Sequence, residues 1–263
     1  MRQVISSALI GCSGFVGSTL LKQRHFEGLY RSTNIREMME REFDLVVCCG
    51  VSAKKWLANQ EPEQDRSQIQ SLMDVITTIR ARIFVLISTV DVNGTPVDFV
   101  ESDIIEESGL HPYGLHRRQL ERFVQSTFDN HLIVRLPGLV GPELRKNILY
   151  DFHHENNLNL IDSRSVFQFY PMVNLSRDID IALYHKLSLI HLVAEPVSVA
   201  EVAAIGFNRS FGNILTGNPA LYDMKSQYAQ LFEGRGSYQY SKRESLMAIR
   251  HYAQGEKARN ERE

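Results

Sequence analysis

The sequence has only three cysteines, and none of its apolar runs is long enough to cross a membrane. Cys48 and Cys49 are adjacent within an apolar run, which argues against a disulfide framework and favours a reducing compartment. Neither the cysteines nor the histidines have the spacing of metal ligands. The formal net charge of −2 gives no general attraction to nucleic acid or to a membrane surface. These absences predict a cytoplasmic protein with no metal, no nucleic-acid partner and no membrane segment.

Apolar, strand-like runs alternate with helical segments over residues 4–142, and the first run begins too early for a signal peptide. The predicted strands cover residues 4–10, 26–32, 43–49, 82–88 and 131–136. The predicted helices cover residues 15–23, 35–41, 61–79 and 113–128. Continuous apolar runs suit strands that are buried on both faces, and helical crossovers between parallel strands are right-handed. The pattern therefore predicts the α/β class with a Rossmann-type, doubly wound parallel sheet.

The elements after Pro142 are shorter and mixed. Helices are predicted over residues 147–154, 175–186 and 241–252, and strands over residues 158–161, 166–170 and 189–193. Ser198 and Glu201 have the spacing of a helix capping box. We therefore predict a Rossmann domain over residues 1–142, a smaller α/β part over 143–253 that is interleaved with the sheet edge, and a flexible charged tail over 254–263.

Three glycines, Gly11, Gly14 and Gly17, connect the first predicted strand to the first predicted helix. Gly11 permits a tight turn, Gly14 lets the backbone approach a pyrophosphate, and Gly17 lets the helix pack closely on the sheet. The N–H groups and the positive dipole end of the helix then face the phosphates. The cofactor contacts predicted in this turn are Gly11, Ser13, Gly14, Phe15, Val16 and Gly17. The turn is thus predicted to bind a dinucleotide, and a purely structural glycine turn is the alternative.

Ligands of open α/β sheets bind outside the carboxyl ends of the strands, so the residues that follow strands are the candidates. Arg31 and Ser32 lie at the end of the second strand, where an acidic residue would bind the ribose 2′-OH of NAD. Because an arginine and a hydroxyl suit a 2′-phosphate instead, the sequence favours NADP and leaves NAD open. Gly50 and Val51, after the third strand, are predicted cofactor contacts, and Ser52 is a predicted substrate contact.

Tyr113 and Arg117 are four residues apart and therefore share one face of a helix. The pKa of a tyrosine hydroxyl is about 10 in water, and a fixed cation one turn away lowers it. Thr89, after the fourth strand, is placed to hold a substrate oxygen. Together these three residues predict an acid/base device that moves a proton while a hydride moves to or from a nicotinamide. The alternative is that Tyr113 is an aromatic residue at a helix start and that Arg117 is a surface charge.

These segments resemble the extended branch of the short-chain dehydrogenase/reductase superfamily, which includes nucleotide-sugar epimerases, dehydratases and dTDP-4-dehydrorhamnose reductases. The matching segments occur in the family's order and at its approximate spacing, and they are 11–17, 87–89 with Gly94, 112–114 with Glu121, and 135–142. The resemblance implies Thr89 as the substrate-orienting hydroxyl and Tyr113 as the acid/base. It also implies that the backbone at Pro137 and Leu139 lies beside the nicotinamide.

The sequence departs from the family pattern at two positions. Arg117 stands where the Tyr-x-x-x-Lys motif has its lysine; arginine stays charged, but it does not relay a proton as lysine does. Gly138 stands where extended members commonly have an asparagine that faces the substrate. Asn147 begins the first helix of the part that binds substrate in the family, and it is either a substrate contact or a helix cap.

The sequence therefore predicts an NADP-preferring oxidoreductase or epimerase that acts on a nucleotide-activated sugar. Tyr113, Thr89 and Arg117 form its predicted catalytic group. Reduction, epimerisation and dehydration begin with the same hydride step, and the sequence does not separate them. The resemblance also implies a homodimer formed through helices 61–79 and 113–128. The alternative is a non-catalytic NADP(H)-binding sensor or scaffold protein with a Rossmann domain.

Overall fold

A computed structural model describes residues 6–255 of the chain. The predicted start of the first strand at residues 4–5 and most of the predicted tail, residues 256–263, lie outside the described residues. The strands are β1 (Ser7–Ile10), β2 (Gly28–Tyr30), β3 (Glu42–Cys48), β4 (Arg80–Thr89), β5 (His131–Leu136), β6 (Gly138–Val140), β7 (Val166–Phe167), β8 (Phe169–Pro171), β9 (Leu189–His191) and β10 (Val197–Ser198). The helices are α1 (Phe15–Gln23), α2 (Lys55–Gln60), α3 (Pro62–Ile76), α4 (Pro112–Thr127), α5 (Ile148–His154), α6 (Leu175–Tyr184), α7 (Val199–Glu201) and α8 (Lys242–Gly255).

Six strands form the main sheet, in the order β2-β1-β3-β4-β5-β9. β1 pairs in parallel with both β2 and β3, and β3 pairs in parallel with β4. The chain continues from β1 to one side of the sheet at β2 and then crosses to the other side at β3, which is the strand-order reversal of a doubly wound fold. The predicted α/β class and Rossmann-type sheet are therefore confirmed.

The described chain divides into two compact units. The first contains residues 6–94, 103–135 and 176–190, with the main sheet and helices α1–α4 and α6; the second contains residues 95–102, 136–175 and 191–255. Residues 95–102 belong to the second unit, and residues 176–190 return to the first. The domain bounds given in the sequence analysis stay a prediction. Within residues 6–255, no helix combines the length and apolar character needed to span a bilayer.

A buried ion pair joins β5 to α4 in the first unit. Arg135 donates two hydrogen bonds to the Glu121 carboxylate, at 2.9 and 2.7 Å, and the Ser88 hydroxyl near the end of β4 donates a third at 2.6 Å. Phe84 of β4 stacks on Phe128, with the ring centroids 4.3 Å apart. Polar and apolar contacts together therefore fix the distance between β4 and α4, and both elements carry predicted site residues.

Most predicted elements lie within a few residues of the observed ones, but the strand predicted over residues 158–161 is wrong. Leu158–Leu160 forms a 3₁₀ turn, preceded by Asn157 at a left-handed φ of 47°. The side-chain amide of Asn213 donates to the carbonyls of Asn159 and Ile161, at 3.2 and 2.7 Å. These carbonyls therefore bind a side chain instead of a neighbouring strand. The strand predicted over 166–170 is in fact two short strands, β7 and β8, in different sheets.

Candidate functional site

The backbone of the glycine turn requires glycine at two positions. Gly11 has a φ of +83°, and a Cβ on it would lie 2.5 Å from the carbonyl oxygen of Cys49. Its N–H donates to the carbonyl of Tyr30 at 2.8 Å, which holds the turn against the end of β2. A Cβ on Gly17, in α1, would lie only 2.2 Å from the carbonyl oxygen of Gly11. The helix therefore packs directly on the turn that precedes it.

Gly14 has a different environment from the other two glycines. It is exposed at the N-cap of α1, and a Cβ on it would make only an ordinary contact of 3.4 Å with the Gly11 carbonyl oxygen. Packing does not require a glycine here. Because Gly14 has no side chain, the space in front of the first turn of α1 is open. The N–H groups of Phe15 and Val16 in this turn lack partners within the helix. Ser13, beside it, is also exposed.

Arg31 and Ser32 are exposed and follow β2 directly. Asn34 closes this turn, because its side chain accepts from the Arg31 N–H at 2.8 Å and donates to the Leu29 carbonyl at 3.1 Å. Ser32 lines a pocket of about 670 Å³ that Arg36 also lines. The sequence prediction treated Arg36 only as part of a short helix. The signal for Arg36 was a second arginine six residues after the end of β2.

The residues after β3 lie close to β1 and to α4. A Cβ on Gly50 would lie 2.9 Å from the Ile10 side chain, so this turn passes tightly over β1. Val51 packs against the buried core of the first unit. Ser52 is exposed, and its carbonyl accepts a hydrogen bond of 2.5 Å from the guanidinium of Arg117. The backbone of Ser52 thus positions Arg117.

Tyr113 and Thr89 lie together, as the sequence predicts. A Cβ on Gly114 would lie 2.2 Å from the carbonyl oxygen of Asp91, so the start of α4 presses against the loop that follows β4. His111 caps α4, since its Nδ1 accepts from the Gly114 N–H at 3.0 Å. In this arrangement the side chains of Thr89 and Tyr113 are hydrogen-bonded.

A nearby cation was expected to lower the pKa of Tyr113, but the net shift of this pKa is upward. Tyr113 is only 6% exposed, and burial raises the pKa of its hydroxyl. The charge of Arg117 and the hydrogen bond with Thr89 act in the opposite direction and do not offset the burial. The hydroxyl is consequently protonated at neutral pH, which is the form that donates a proton.

Arg117 is 4% exposed, so it is not a surface charge. Its Cζ lies 3.8 Å from the centroid of the Tyr113 ring, over the face of the ring. It donates two hydrogen bonds to the carboxylate of Asp65, at 2.7 and 2.9 Å, and one to the Tyr113 carbonyl at 3.0 Å. The guanidinium is therefore held by an acid of α3 and by backbone carbonyls.

Asp65 is the residue that sequence reasoning missed at this site. Burial alone would raise the pKa of its carboxyl, but hydrogen bonds and charges from Arg117 and His116 bring this pKa below the ordinary value. The Nδ1 atom of His116 lies 2.8 Å from Oδ2 of Asp65. A signal was present in the sequence, because Asp65 falls on the same helical stripe as the buried Ile69 and Leu72. An acid on such a stripe requires a partner.

The predicted contacts Pro137 and Leu139 lie in the second unit, before and within β6. β6 pairs in parallel with β8, and a Cβ on Gly138 would lie 2.6 Å from the carbonyl oxygen of Gln168. The close approach of these two backbones accounts for the glycine at this position.

Asn147, also in the second unit, caps α5. Its Oδ1 accepts from the Leu149 N–H at 2.9 Å, and its Nδ2 donates to the Leu139 carbonyl at 2.9 Å. The helix-cap alternative is therefore what the structure shows, and a substrate contact at Asn147 stays a prediction. In residues 6–255, no group of three or more His, Cys, Asp or Glu side chains is arranged to hold a metal ion.

No protein-family model and no curated protein matches this sequence. Solved structures match nearly its whole length. A dTDP-4-dehydrorhamnose reductase from Clostridium acetobutylicum is 15% identical, with a TM-score of 0.72 over 95% of this chain and 99% of that one. Another from Bacillus anthracis, in complex with NADP, is 14% identical, with a TM-score of 0.72 over 97% and 100% of the two chains.

A UDP-N-acetylglucosamine 4-epimerase from Methanobrevibacter ruminantium, in complex with UDP-N-acetylmuramic acid, is 11% identical, with a TM-score of 0.73 over 95% of this chain and 97% of that one. At these identities the likeness shows the fold. The chain therefore has the fold of nucleotide-sugar reductases and epimerases, as the resemblance in the sequence implied.

Proposed function

We propose that the chain is an NAD(P)-dependent oxidoreductase or epimerase that acts on a nucleotide-activated sugar, with NADP preferred to NAD. One observation carries this proposal: the glycine turn and the Tyr113–Thr89 hydrogen bond lie at the same edge of one sheet. β1 and β4 both run parallel to β3, so their carboxyl ends meet at that edge. Similar solved structures are reductases and epimerases of this kind, and one holds NADP.

The residues of the first unit fit a dinucleotide. Gly14 leaves room for a pyrophosphate at the N-terminus of α1, where the helix dipole favours negative charge. Arg31, Ser32 and Arg36 offer two positive charges and a hydroxyl for a 2′-phosphate. When bound, the nicotinamide would supply or accept a hydride.

In this proposal Tyr113 transfers the proton that accompanies the hydride. Because burial keeps its hydroxyl protonated, Tyr113 is suited to donate a proton to a carbonyl oxygen that is being reduced. Thr89, hydrogen-bonded to it, orients the same oxygen. The test is to incubate the protein with NADPH and a panel of keto sugar nucleotides and to follow the absorbance of the reduced nicotinamide. We expect oxidation with at least one sugar; none with any member of the panel contradicts the proposal.

Two alanine substitutions separate packing from nucleotide binding in the glycine turn. Gly17→Ala is expected to lower the free energy of unfolding by about 1–3 kcal/mol, because its Cβ overlaps the Gly11 carbonyl. Gly14→Ala is expected to change it by less than about 0.5 kcal/mol and to weaken NADPH binding about tenfold or more, because its methyl group occupies the phosphate approach. Urea denaturation and fluorescence titration measure the two effects. Unchanged NADPH affinity in a folded Gly14→Ala protein contradicts the assignment.

Arg31→Ala tests the preference for NADP. We expect its dissociation constant for NADPH to rise about tenfold, because a charged hydrogen bond to a phosphate contributes about 1.5–3 kcal/mol. The constant for NADH should change little. Arg80→Ala is the control, since Arg80 begins β4 at the opposite edge of the sheet and is exposed. Equal weakening of NADPH and NADH binding by Arg31→Ala is inconsistent with a 2′-phosphate contact.

The second candidate function is a non-catalytic NADP(H)-binding sensor or scaffold, and Arg117 favours it. The cation in the place of the motif lysine is bound by Asp65 and by backbone carbonyls. A protein of this kind would bind NADPH tightly and would oxidise it with none of the sugar nucleotides. The homodimer through α3 and α4, the cytoplasmic location and the substrate contacts at Ser52 and Asn147 stay predictions.

A further inference from the structure

His111 caps α4, although histidine is not a preferred residue for a helix cap. The preferred caps are asparagine, aspartate, serine and threonine, whose side-chain oxygens accept from the first turn. In this chain the acceptor is Nδ1 of the His111 imidazole, which binds the Gly114 N–H at 3.0 Å. Capping uses only one of the two ring nitrogens, so it does not explain why the chain has a histidine at this position.

The cap also determines which nitrogen of the His111 ring carries a proton. A backbone N–H only donates, so Nδ1 must be the acceptor and carries no proton. Burial lowers the pKa of His111, and the charge of Lys55 lowers it further, so the neutral form of the ring predominates at pH 7. In a neutral imidazole without a proton on Nδ1, the proton is on Nε2. The Nε2 atom of His111 is therefore an N–H donor.

The Nε2 donor of His111 is available to a ligand. Nδ1 points at the first turn of α4, and the two nitrogens of an imidazole point to different sides of the ring, so Nε2 points away from the helix end. Within residues 6–255, Nε2 has no hydrogen-bond partner, and the side chain is only half-buried. The ring is thus held in one orientation and one tautomer, with its second nitrogen accessible.

The imidazole of His111 lies beside the catalytic pair proposed above. Its centroid is 6.1 Å from the centroid of the Tyr113 ring. A Cβ on Gly114 would lie 3.1 Å from Cε1 of His111 and 2.2 Å from the carbonyl oxygen of Asp91, so the imidazole also lies near the loop that follows Thr89. The start of α4 is therefore at the edge of the sheet where β4 ends, which is the edge where ligands of open α/β sheets bind.

We propose that His111 is a substrate-binding residue whose Nε2–H donates a hydrogen bond to a sugar hydroxyl next to the carbonyl that Tyr113 protonates. This inference rests on the proposed function, because it names a further substrate contact of the same site. A neutral N–H donor recognises an uncharged acceptor oxygen, and sugars offer such oxygens on the carbons beside the reacting one. A donor with a fixed direction also disfavours a sugar that lacks this hydroxyl, because the donor is then left unpaired.

Two amide substitutions separate substrate binding from capping. His111→Asn places an acceptor where Nδ1 lies and removes the Nε2 donor, whereas His111→Gln reaches to the place of Nε2 and loses the cap. We expect His111→Asn to keep the urea midpoint of the wild type and to raise KM for the keto sugar nucleotide about five- to tenfold, with little change in kcat or NADPH affinity.

His111→Gln is expected to show the reverse, a lower urea midpoint with KM near the wild-type value. His185→Asn is the matched control, because His185 is exposed just after α6. A wild-type KM in a folded His111→Asn protein overturns the inference.

NMR of the protein labelled with ¹⁵N at histidine gives a readout that needs no turnover. His111→Asn identifies the His111 signals, and we expect a proton on Nε2 and none on Nδ1. Each keto sugar nucleotide of the panel is then added in the presence of NADP⁺, which does not reduce it, and at least one is expected to shift the Nε2 signal.

The two measurements distinguish the inference from the proposed function. A shift of the Nε2 signal in a protein that turns over none of the panel overturns the proposed function but not the inference. Turnover of a sugar nucleotide that leaves the Nε2 signal unchanged overturns the inference but not the proposed function. An Nε2 signal that responds to no sugar nucleotide overturns the inference whether or not the protein is active.

Discussion

Replacing Tyr113 by phenylalanine is expected to lower kcat by about 10²–10⁴-fold while leaving NADPH affinity nearly unchanged. The substitution removes only the hydroxyl that donates the proton. The phenylalanine ring still fills the buried site and still lies beneath the guanidinium of Arg117. Initial rates of NADPH oxidation and fluorescence titration of NADPH provide the two measurements.

Two companion variants make this result specific. Thr89→Val removes the hydroxyl that is hydrogen-bonded to Tyr113 and should also lower kcat. Tyr184→Phe is the control, because Tyr184 is exposed on α6 and has no part in the site; its kcat should equal that of the wild type. Wild-type kcat in Tyr113→Phe contradicts the assignment of the proton donor.

Replacing Asp65 by leucine is expected to lower the free energy of unfolding by about 3–5 kcal/mol. The change leaves the buried guanidinium of Arg117 without its acid. Replacing both partners, as Asp65→Leu with Arg117→Met, removes the uncompensated charge and should recover most of the loss. Urea denaturation of the two single variants and the double variant gives the coupling between the residues.

An exposed ion pair on the main sheet serves as the control. Glu42 and Arg80 are 3.0 Å apart and mostly exposed, so Glu42→Ala should cost less than about 1 kcal/mol. The pKa of Asp65 lies below its ordinary value, so its contribution to stability is present above the ordinary aspartate pKa and is lost as the pH falls through the lower, folded-state pKa. The difference between the wild type and Asp65→Leu should therefore shrink in acid. If the difference in the free energy of unfolding stays constant as the pH falls through the folded-state pKa of Asp65, the assignment of a charged Asp65 is contradicted.

The fold could be predicted from the sequence because its signals are local. The predicted bounds of α1 and β5 coincide with the observed ones, since Gly14 immediately precedes α1 and Pro137 immediately follows β5. The glycine turn was recognised in the same way, from residues within seven positions of one another. The strand predicted at 158–161 failed for the opposite reason, because a side chain 52 residues or more further along the chain, Asn213, binds its carbonyls.

The site was predicted only in part, because its charges are paired across the chain. Arg117 and Asp65 are 52 residues apart, and Lys55 and Asp91 are 36 residues apart. Tyr113 and Arg117 share a helix face, so their proximity followed from spacing alone. The six-residue α2 was missed because it is too short to show a period.

Titration of the purified chain with NADPH tests most directly the claim on which the rest depends, that the Gly11–Gly17 turn binds a dinucleotide. The account predicts saturable binding to one site per chain, weakened by Gly14→Ala and not by Gly212→Ala, whose Cβ would meet nothing within 4 Å. No binding of NADPH or NADH up to millimolar concentration, or binding that is indifferent to Gly14→Ala, would contradict it.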